Sequence, residues 1–272
     1  MKKLLVGLIL ILAIGFPALA ETAVYFLDVG QGDCTIIQSN GATLMIDTGP
    51  QEAKMALAAE LLARDVDHID TLILTHPHED HDGNFGYLVD IYPISTLYMS
   101  EYADDEEDYG GLLRQVVSQG TQIRYPTVGD QFMVGDATVM ILSAADPAQY
   151  LDDQNLWSIV TKIVDGNTSI IVMGDAEDIN EYAMIDAGLD LDADILRVGH
   201  HGSNTSTSGA FLDAVTPDVA IVSCGANNPY GHPHQEVLEA LYGRRIVVFR
   251  TDVSGTVTAT IETDVYTIAT EK

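Results

Sequence analysis

Within six residues, His76-Pro77-His78-Glu79-Asp80-His81, the chain sets four side chains able to bind a metal ion, in the spacing His-x-His-x-Asp-His. Imidazole and carboxylate together suit zinc, manganese or iron, and two pairs drawn from one loop imply two neighbouring ions. A strand cannot aim adjacent side chains at one point, because they alternate between its faces, so the run must form a tight loop. A histidine-rich exposed loop is the plain alternative, and Gly83-Asn84 is compatible with it. Against that alternative, the chain's other histidine clusters also follow strand-like segments.

Asp175 follows the apolar stretch Ser169–Met173 and the turn residue Gly174. A carboxylate with two oxygens can bridge two cations at the roughly 3.5–4 Å separation of two-metal hydrolases. It serves equally well as the N-cap of a helix beginning near Glu177, and local sequence leaves both open. His200-His201-Gly202-Ser203 follows Ile195–Val198, and Gly231-His232-Pro233-His234 follows Val219–Ser223 after a short loop. Strand ends are where α/β proteins place their chemistry. Ser203 and Ser206 could reach substrate oxygens, although such serines usually only cap the next helix. No Gly-x-Ser-x-Gly elbow accompanies them, which argues against a serine hydrolase.

The elements that must hold these groups are legible in part. Extended segments are predicted at 24–29, 34–38 and 43–46, with Asn40-Gly41 as a hairpin turn, since both residues accept the positive φ of tight turns. The chain then runs out, back and out again, so Gly30–Asp33 and Asp47–Gly49 emerge at the same end of a sheet. A helix over 51–64 and a buried strand over 71–75 deliver His76. Further strands near 158–164, 169–173, 195–198, 219–223 and 246–249 alternate with helices near 177–186, 207–214 and 235–242. Such a pattern predicts a layered α/β domain with sheets inside and helices outside.

Lys2-Lys3, an apolar run from Leu4 to Phe16 and Pro17-Ala18-Leu19-Ala20 have the three parts of a secretory signal peptide, with cleavage expected after Ala20. The apolar core is short of the roughly 20 residues of a spanning helix, so the membrane is expected to matter only during export. Residues 21–272 are then one secreted or extracytoplasmic domain, without linker or repeat. Removing Lys2 and Lys3 leaves 10 basic residues against 41 acidic ones. Such a surface excludes tight, sequence-independent binding of duplex DNA. Asp104–Asp108 is read as a solvated acidic loop, while Arg244, Arg245 and Arg250 are close enough in sequence to offset repulsion locally. Cys34 and Cys224 are the only cysteines, and sequence leaves open whether they pair. No motif marks a stable protein partner.

Leu27-Asp28-Val29-Gly30-Gln31-Gly32-Asp33, Ile46–Gly49, His76–His81, Gly174-Asp175, His200–Ser203, Tyr230–His234 and Arg250-Thr251-Asp252 together resemble, in order, the ComEC-type branch of the metallo-β-lactamase superfamily. The resemblance covers nearly all of the chain after Ala20. It implies an αββα sandwich, two mixed β-sheets flanked by helices, with a dinuclear site (zinc or manganese) at one edge and hydrolysis by a metal-activated water. In the best-known members this domain is attached to a DNA-uptake channel and is thought to act as a nuclease. Here no channel helices accompany it.

By the same resemblance, His76 and His78 hold one ion, Asp80 and His81 the other, and Asp175 bridges them. His200 is favoured to complete the second ion, ahead of His201 and His232. Asp80, His201 and His232 are the catalytic candidates, with His201 or His232 protonating the leaving group. The superfamily usually supplies a further histidine between His81 and the bridging aspartate, whereas here Asn155 stands roughly at that place, so one site is expected to be weaker. Asp33, Asp47, Ser203 and His234 are expected to support the ligands or touch substrate. The substrate is expected to be a phosphodiester, such as a nucleic acid; a lactone, thioester or β-lactam is the alternative, and a non-catalytic metal- or surface-binding protein the third.

Overall fold

A computed structural model describes residues 22–101, 109–145, 147–262 and 265–272. The leader-like segment through Ala20 and the acidic run Asp104–Asp108 lie outside these residues. Among the described residues no helix is long and apolar enough to cross a membrane.

The chain opens with the meander β1 (Thr22–Phe26), β2 (Thr35–Ser39) and β3 (Ala42–Ile46). Asn40 and Gly41 turn the hairpin with φ of 46° and 80°. After α1 (Lys54–Ala63) and β4 (Ile69–Ile73) come α2 (Glu79–Asp82), α3 (Phe85–Ile91), β5 (Ile94–Tyr98), α4 (Tyr109–Ser118) and β6 (Gln122–Arg124). The second half contains β7 (Gln131–Val134), β8 (Ala137–Ser143), β9 (Val160–Asp165), β10 (Thr168–Val172), α5 (Asp178–Asp186), β11 (Ile195–Arg197), α6 (Gly209–Val215), β12 (Val219–Val222), α7 (Gln235–Gly243) and β13 (Val247–Arg250). It ends with α8 (Thr251–Ser254) and the hairpin β14 (Val257–Glu262) and β15 (Val265–Thr270).

These strands form two mixed sheets, in the orders β15-β14-β1-β2-β3-β4-β5-β6 and β13-β12-β11-β10-β9-β8-β7. Consecutive apolar residues explain the layering. Ile36 faces α1, α3 and α4 while Ile37 faces the second sheet; Ile170 faces the first sheet while Ile171 faces α5, α6 and α7. Strands covered on both faces read as continuous apolar runs rather than alternating ones. The result is four layers, helix–sheet–sheet–helix, around three apolar seams. Each buried leucine or isoleucine in them contributes about 1.5–3 kcal/mol.

The expected helix over 51–64 is α1 preceded by a single 3-10 turn at Gln51–Ala53. Sequence alone predicts no helix or strand between 84 and 157, where the structure has α3, α4 and β5 to β8, nor the C-terminal hairpin. Several of these strands run along the sheet margins, and β6 has no buried residue, so their pattern carries little apolar signal.

Candidate metal centre

The first sheet contributes His76–His81 beyond the C-terminal end of β4. Asp47, at the end of β3 with φ of 60°, sits beneath it and is fully buried. Its carboxylate accepts from Thr75 N (2.8 Å) and Thr75 Oγ1 (2.7 Å), and His81 Nδ1 donates to it at 2.7 Å. That bond fixes the tautomer of His81 and turns Nε2 toward the cleft, as carboxylates behind metal-binding histidines do. Asn84 closes the loop from below, its amide donating to the carbonyls of Thr48, Gly49 and Pro50. The β1–β2 connection packs against the same loop: a Cβ on Gly32 would stand 2.4 Å from the Asp80 carbonyl oxygen, so only glycine fits.

The second sheet contributes the other half. Asp175 follows β10, and its amide donates to Ser158 Oγ at 3.0 Å. Beyond β11, His200 and His201 adopt left-handed backbone conformations, with φ of 47° and 53°. Non-glycine residues rarely adopt this region, and two in succession splay adjacent side chains into different parts of one cleft. His201 Nδ1 donates to the Ser223 carbonyl (2.9 Å), leaving Nε2 near Asp80 Oδ2 (3.3 Å), Asp175 Oδ1 (3.4 Å) and His81 Nε2 (3.3 Å). His200 Nδ1 donates to Glu177 Oε1 (3.0 Å), and its Nε2 lies 3.8 Å from Asp175 Oδ2.

Two ligand sets meet at the cleft among the described residues, His76–His78–Asp175 and Asp80–His81–His201, with a third, wholly buried group, Asp33–Asp47–His81, behind them. One Asp175 oxygen faces His81 and His201, the other His76 and His200. The histidine that meets Asp80 and His81 is therefore His201, not His200 as expected from sequence; the bond to Ser223 aims it there. His200 stands on the opposite oxygen of Asp175, beside His76. Asn155 lines the same cleft, and its Oδ1 is buried without a hydrogen-bond partner.

These residues fit divalent cations. His76 Nε2 and His78 Nδ1 converge to 3.0 Å, and Asp175 Oδ1 has no well-formed hydrogen bond although two imidazole nitrogens face it. Electrostatics agree. Burial alone would lower His81 and His201, yet the Asp175 carboxylate holds His81 well above the ordinary histidine value and His201 up to about 9. Asp175, despite burial, is held well below the carboxylate range by His201 and His81. The site concentrates negative charge and balances it with protons that a cation can replace.

Behind the ligands lies a residue not singled out from sequence. Arg197, wholly buried on β11, donates from Nη1 to the Gly174 carbonyl (2.6 Å), approaches His201 Nδ1 (3.3 Å) and pairs through Nη2 with Asp33 Oδ2 at 2.8 Å. Asp33 is thus buried beside Asp47 and His81, linking the two sheets beneath the site. Ser203 and His234 stand away from the cleft: Ser203 accepts from Thr205 and His234 Nδ1 accepts from Asn204 N, so both brace loops. Arg244 is engaged with Asp213 and Arg250 with Asp252, and neither they nor Arg245 lines the cleft, contrary to the role their sequence proximity suggested. Cys34 and Cys224 are both buried and free.

The sequence model of the metallo-beta-lactamase superfamily matches residues 27–226. ComE operon protein 3 of Bacillus subtilis is 32% identical over 89% of the chain and 33% of its own length. Competence protein ComA of Neisseria gonorrhoeae is 33% identical over 86% of the chain and 32% of its own length. The chain thus spans about a third of these curated relatives. Among solved structures, the metallo-beta-lactamase fold protein YhfI of Bacillus subtilis superposes with a TM-score of 0.61 at 14% identity, over 87% of this chain and 99% of that one. CmlA, a diiron β-hydroxylase from Streptomyces venezuelae, gives a TM-score of 0.61 at 14% identity, over 89% and 54%.

Proposed function

The chain belongs to the metallo-β-lactamase superfamily, with relatives of the ComEC type, and from that premise we propose that it is an exported metal-dependent phosphodiesterase acting on nucleic acid or its fragments. The observation that carries this is the pair of adjoining ligand sets, with Asp175 of the first also facing His81 and His201 of the second, opening into a cleft of about 520 Å³. Divalent ions in such a pair supply a water acidified to a pKa of about 7 and stabilise charge developing on a phosphoryl oxygen.

The protein's own groups divide the remaining work. His76, His78, Asp80, His81, Asp175 and His201 would hold the ions, and His200 faces the same Asp175 oxygen as His76. His201 is unavailable for proton transfer, because both ring nitrogens are committed. His232 belongs to neither ligand set and lines the cleft. Burial, with His201 and His200 nearby, pushes it down to about 4. Near neutral pH it therefore starts as a proton acceptor, not as the protonated acid that the sequence reading assigned to it. Lys2-Lys3 and the apolar run to Phe16 support action outside the cytoplasm.

The test is metal analysis of the purified protein followed by assays on bis-p-nitrophenyl phosphate, single-stranded DNA, a lactone and a cephalosporin. Phosphodiester cleavage is expected, and both His78→Ala and Asp80→Ala should lower it to background with a matching loss of bound metal. Turnover confined to the lactone or cephalosporin, or none with both ions bound, would overturn the proposal.

A further inference from the structure

The cleft contains no lysine or arginine among its described lining residues, and Glu52 and Glu79 stand at its wall in a chain of net charge −29. A groove that tracks a phosphate backbone is built the other way, from cations along its length. What this cleft offers instead is neutral. Tyr230 lies at its rim with 62% of its surface exposed, its ring stacked over His232 at a centroid separation of 5.6 Å and an interplanar angle of 23°. Gln31, on the opposite strand connection, accepts from Gly225 N through Oε1 at 3.0 Å, while its Nε2 is buried without a partner.

The loop presenting Tyr230 is fastened at both ends. Asn228 donates to the Gly225 carbonyl (2.9 Å) and the His232 carbonyl (2.6 Å), and accepts from His232 N (2.9 Å). Gln31 ties the start of the same loop to the first sheet. A tyrosine held open at the rim of such a loop offers its face to solvent, and an amide donor locked in place lacks the acceptor that buried polar groups normally find. Both needs are met by one kind of ligand: a planar aromatic group for Tyr230, joined to an oxygen acceptor for Gln31.

We infer that Tyr230 and Gln31 form a base subsite, so that the enzyme engages its substrate one nucleotide at a time through stacking and a neutral hydrogen bond rather than by gripping a polyanion. This rests on the phosphodiesterase reading and adds the group that the site recognises beside the scissile ester. Stacking a base on an aromatic side chain is strong enough to be read in equilibrium binding.

The experiment is calorimetry on the manganese-loaded full chain with thymidine 5′-monophosphate and with deoxyribose 5-phosphate, which lacks the base. The nucleotide should bind at least about fivefold more tightly. Tyr230→Ala should bring the ratio to within twofold, Tyr230→Trp should keep it, and Gln31→Leu should lower it by weakening the nucleotide while leaving deoxyribose 5-phosphate unchanged. For octathymidylate, log affinity should fall with log salt at a slope of about −1 or shallower, since single strands give about −0.7 per phosphate contact. A ratio near one in the natural protein, a ratio unchanged in Tyr230→Ala, or a slope steeper than about −3 would overturn the inference. Failure to hydrolyse any phosphodiester would instead strike the proposed function, and the binding ratios would still decide this subsite.

Discussion

Replacing Arg197 by methionine removes a buried guanidinium that joins the two halves of the site. The side chain of Arg197 is 0% exposed and that of Asp33 1%, so deletion of the guanidinium strands a carboxylate in the interior. Breaking a buried pair from one side costs about 3–5 kcal/mol, and losing the charged bond to the Gly174 carbonyl adds to it. With a urea m-value of about 3 kcal/mol/M, the unfolding midpoint should drop by roughly 1–1.7 M. Urea titration with a chelator present keeps metal binding out of the comparison. Asp33→Leu alone should be similarly harmful, whereas the double variant Asp33→Leu/Arg197→Met should be less destabilised than the sum of the singles by at least about 2 kcal/mol, because neither charge is then stranded. Additivity within about 0.5 kcal/mol would refute the reasoning, since it would mean the two groups do not depend on each other.

Asn155→His should tighten zinc binding at the weaker site, about tenfold or more, because imidazole suits zinc better than an amide oxygen; in the natural protein manganese should raise activity more than zinc, and calorimetry showing two equally tight zinc ions or no change in the variant would contradict this. Metal uptake at pH 7 should release roughly one to two protons, since His81 and His201 are held above their ordinary value and must be bare to ligate. Apparent affinity should therefore rise with pH from neutrality through about 9, where His201 is half deprotonated; binding heats at pH 7 that do not depend on the buffer's ionisation enthalpy would rule this out. Burial raises the Cys34 thiol, and burial with Asp252 alongside pushes Cys224 up to about 12, so a thiol reagent at pH 8 should leave the native protein unlabelled and find both thiols in urea.

Much of the site was legible because its ligands are chemically unusual residues at strand ends. His76–His81, Asp175 and the 200–201 pair are visible as a set without any fold. The division of labour between His200 and His201 was not, because it depends on two left-handed backbone angles and on the Ser223 carbonyl, 22 residues away. Arg197 was hidden for a related reason: in Ile195-Leu196-Arg197 it reads as an ordinary strand residue, and only the packing of β11 against the Gly30–Asp33 turn gives it a partner. Arg244, Arg245 and Arg250 show the converse, since closeness in sequence said nothing about the acids that occupy two of them. The Asn40-Gly41 hairpin was read correctly because its turn chemistry is local. The stretch from β5 to β8 was not, because strands near sheet margins take their order from neighbours rather than from their own pattern.

The split of the ligands between two sheets also sets an order of events for the chain as it is made. The loop at 76–81 can emerge and collapse early, but Asp175 and His201 arrive some hundred residues later, and the first sheet itself gains its last two strands only when β14 pairs with β1 and Lys272 reaches Asp28. Contacts so distant in sequence form slowly. The two ligand sets can therefore meet only after the chain has been made through His201, and the sheet that holds the first of them is finished only by the last hairpin.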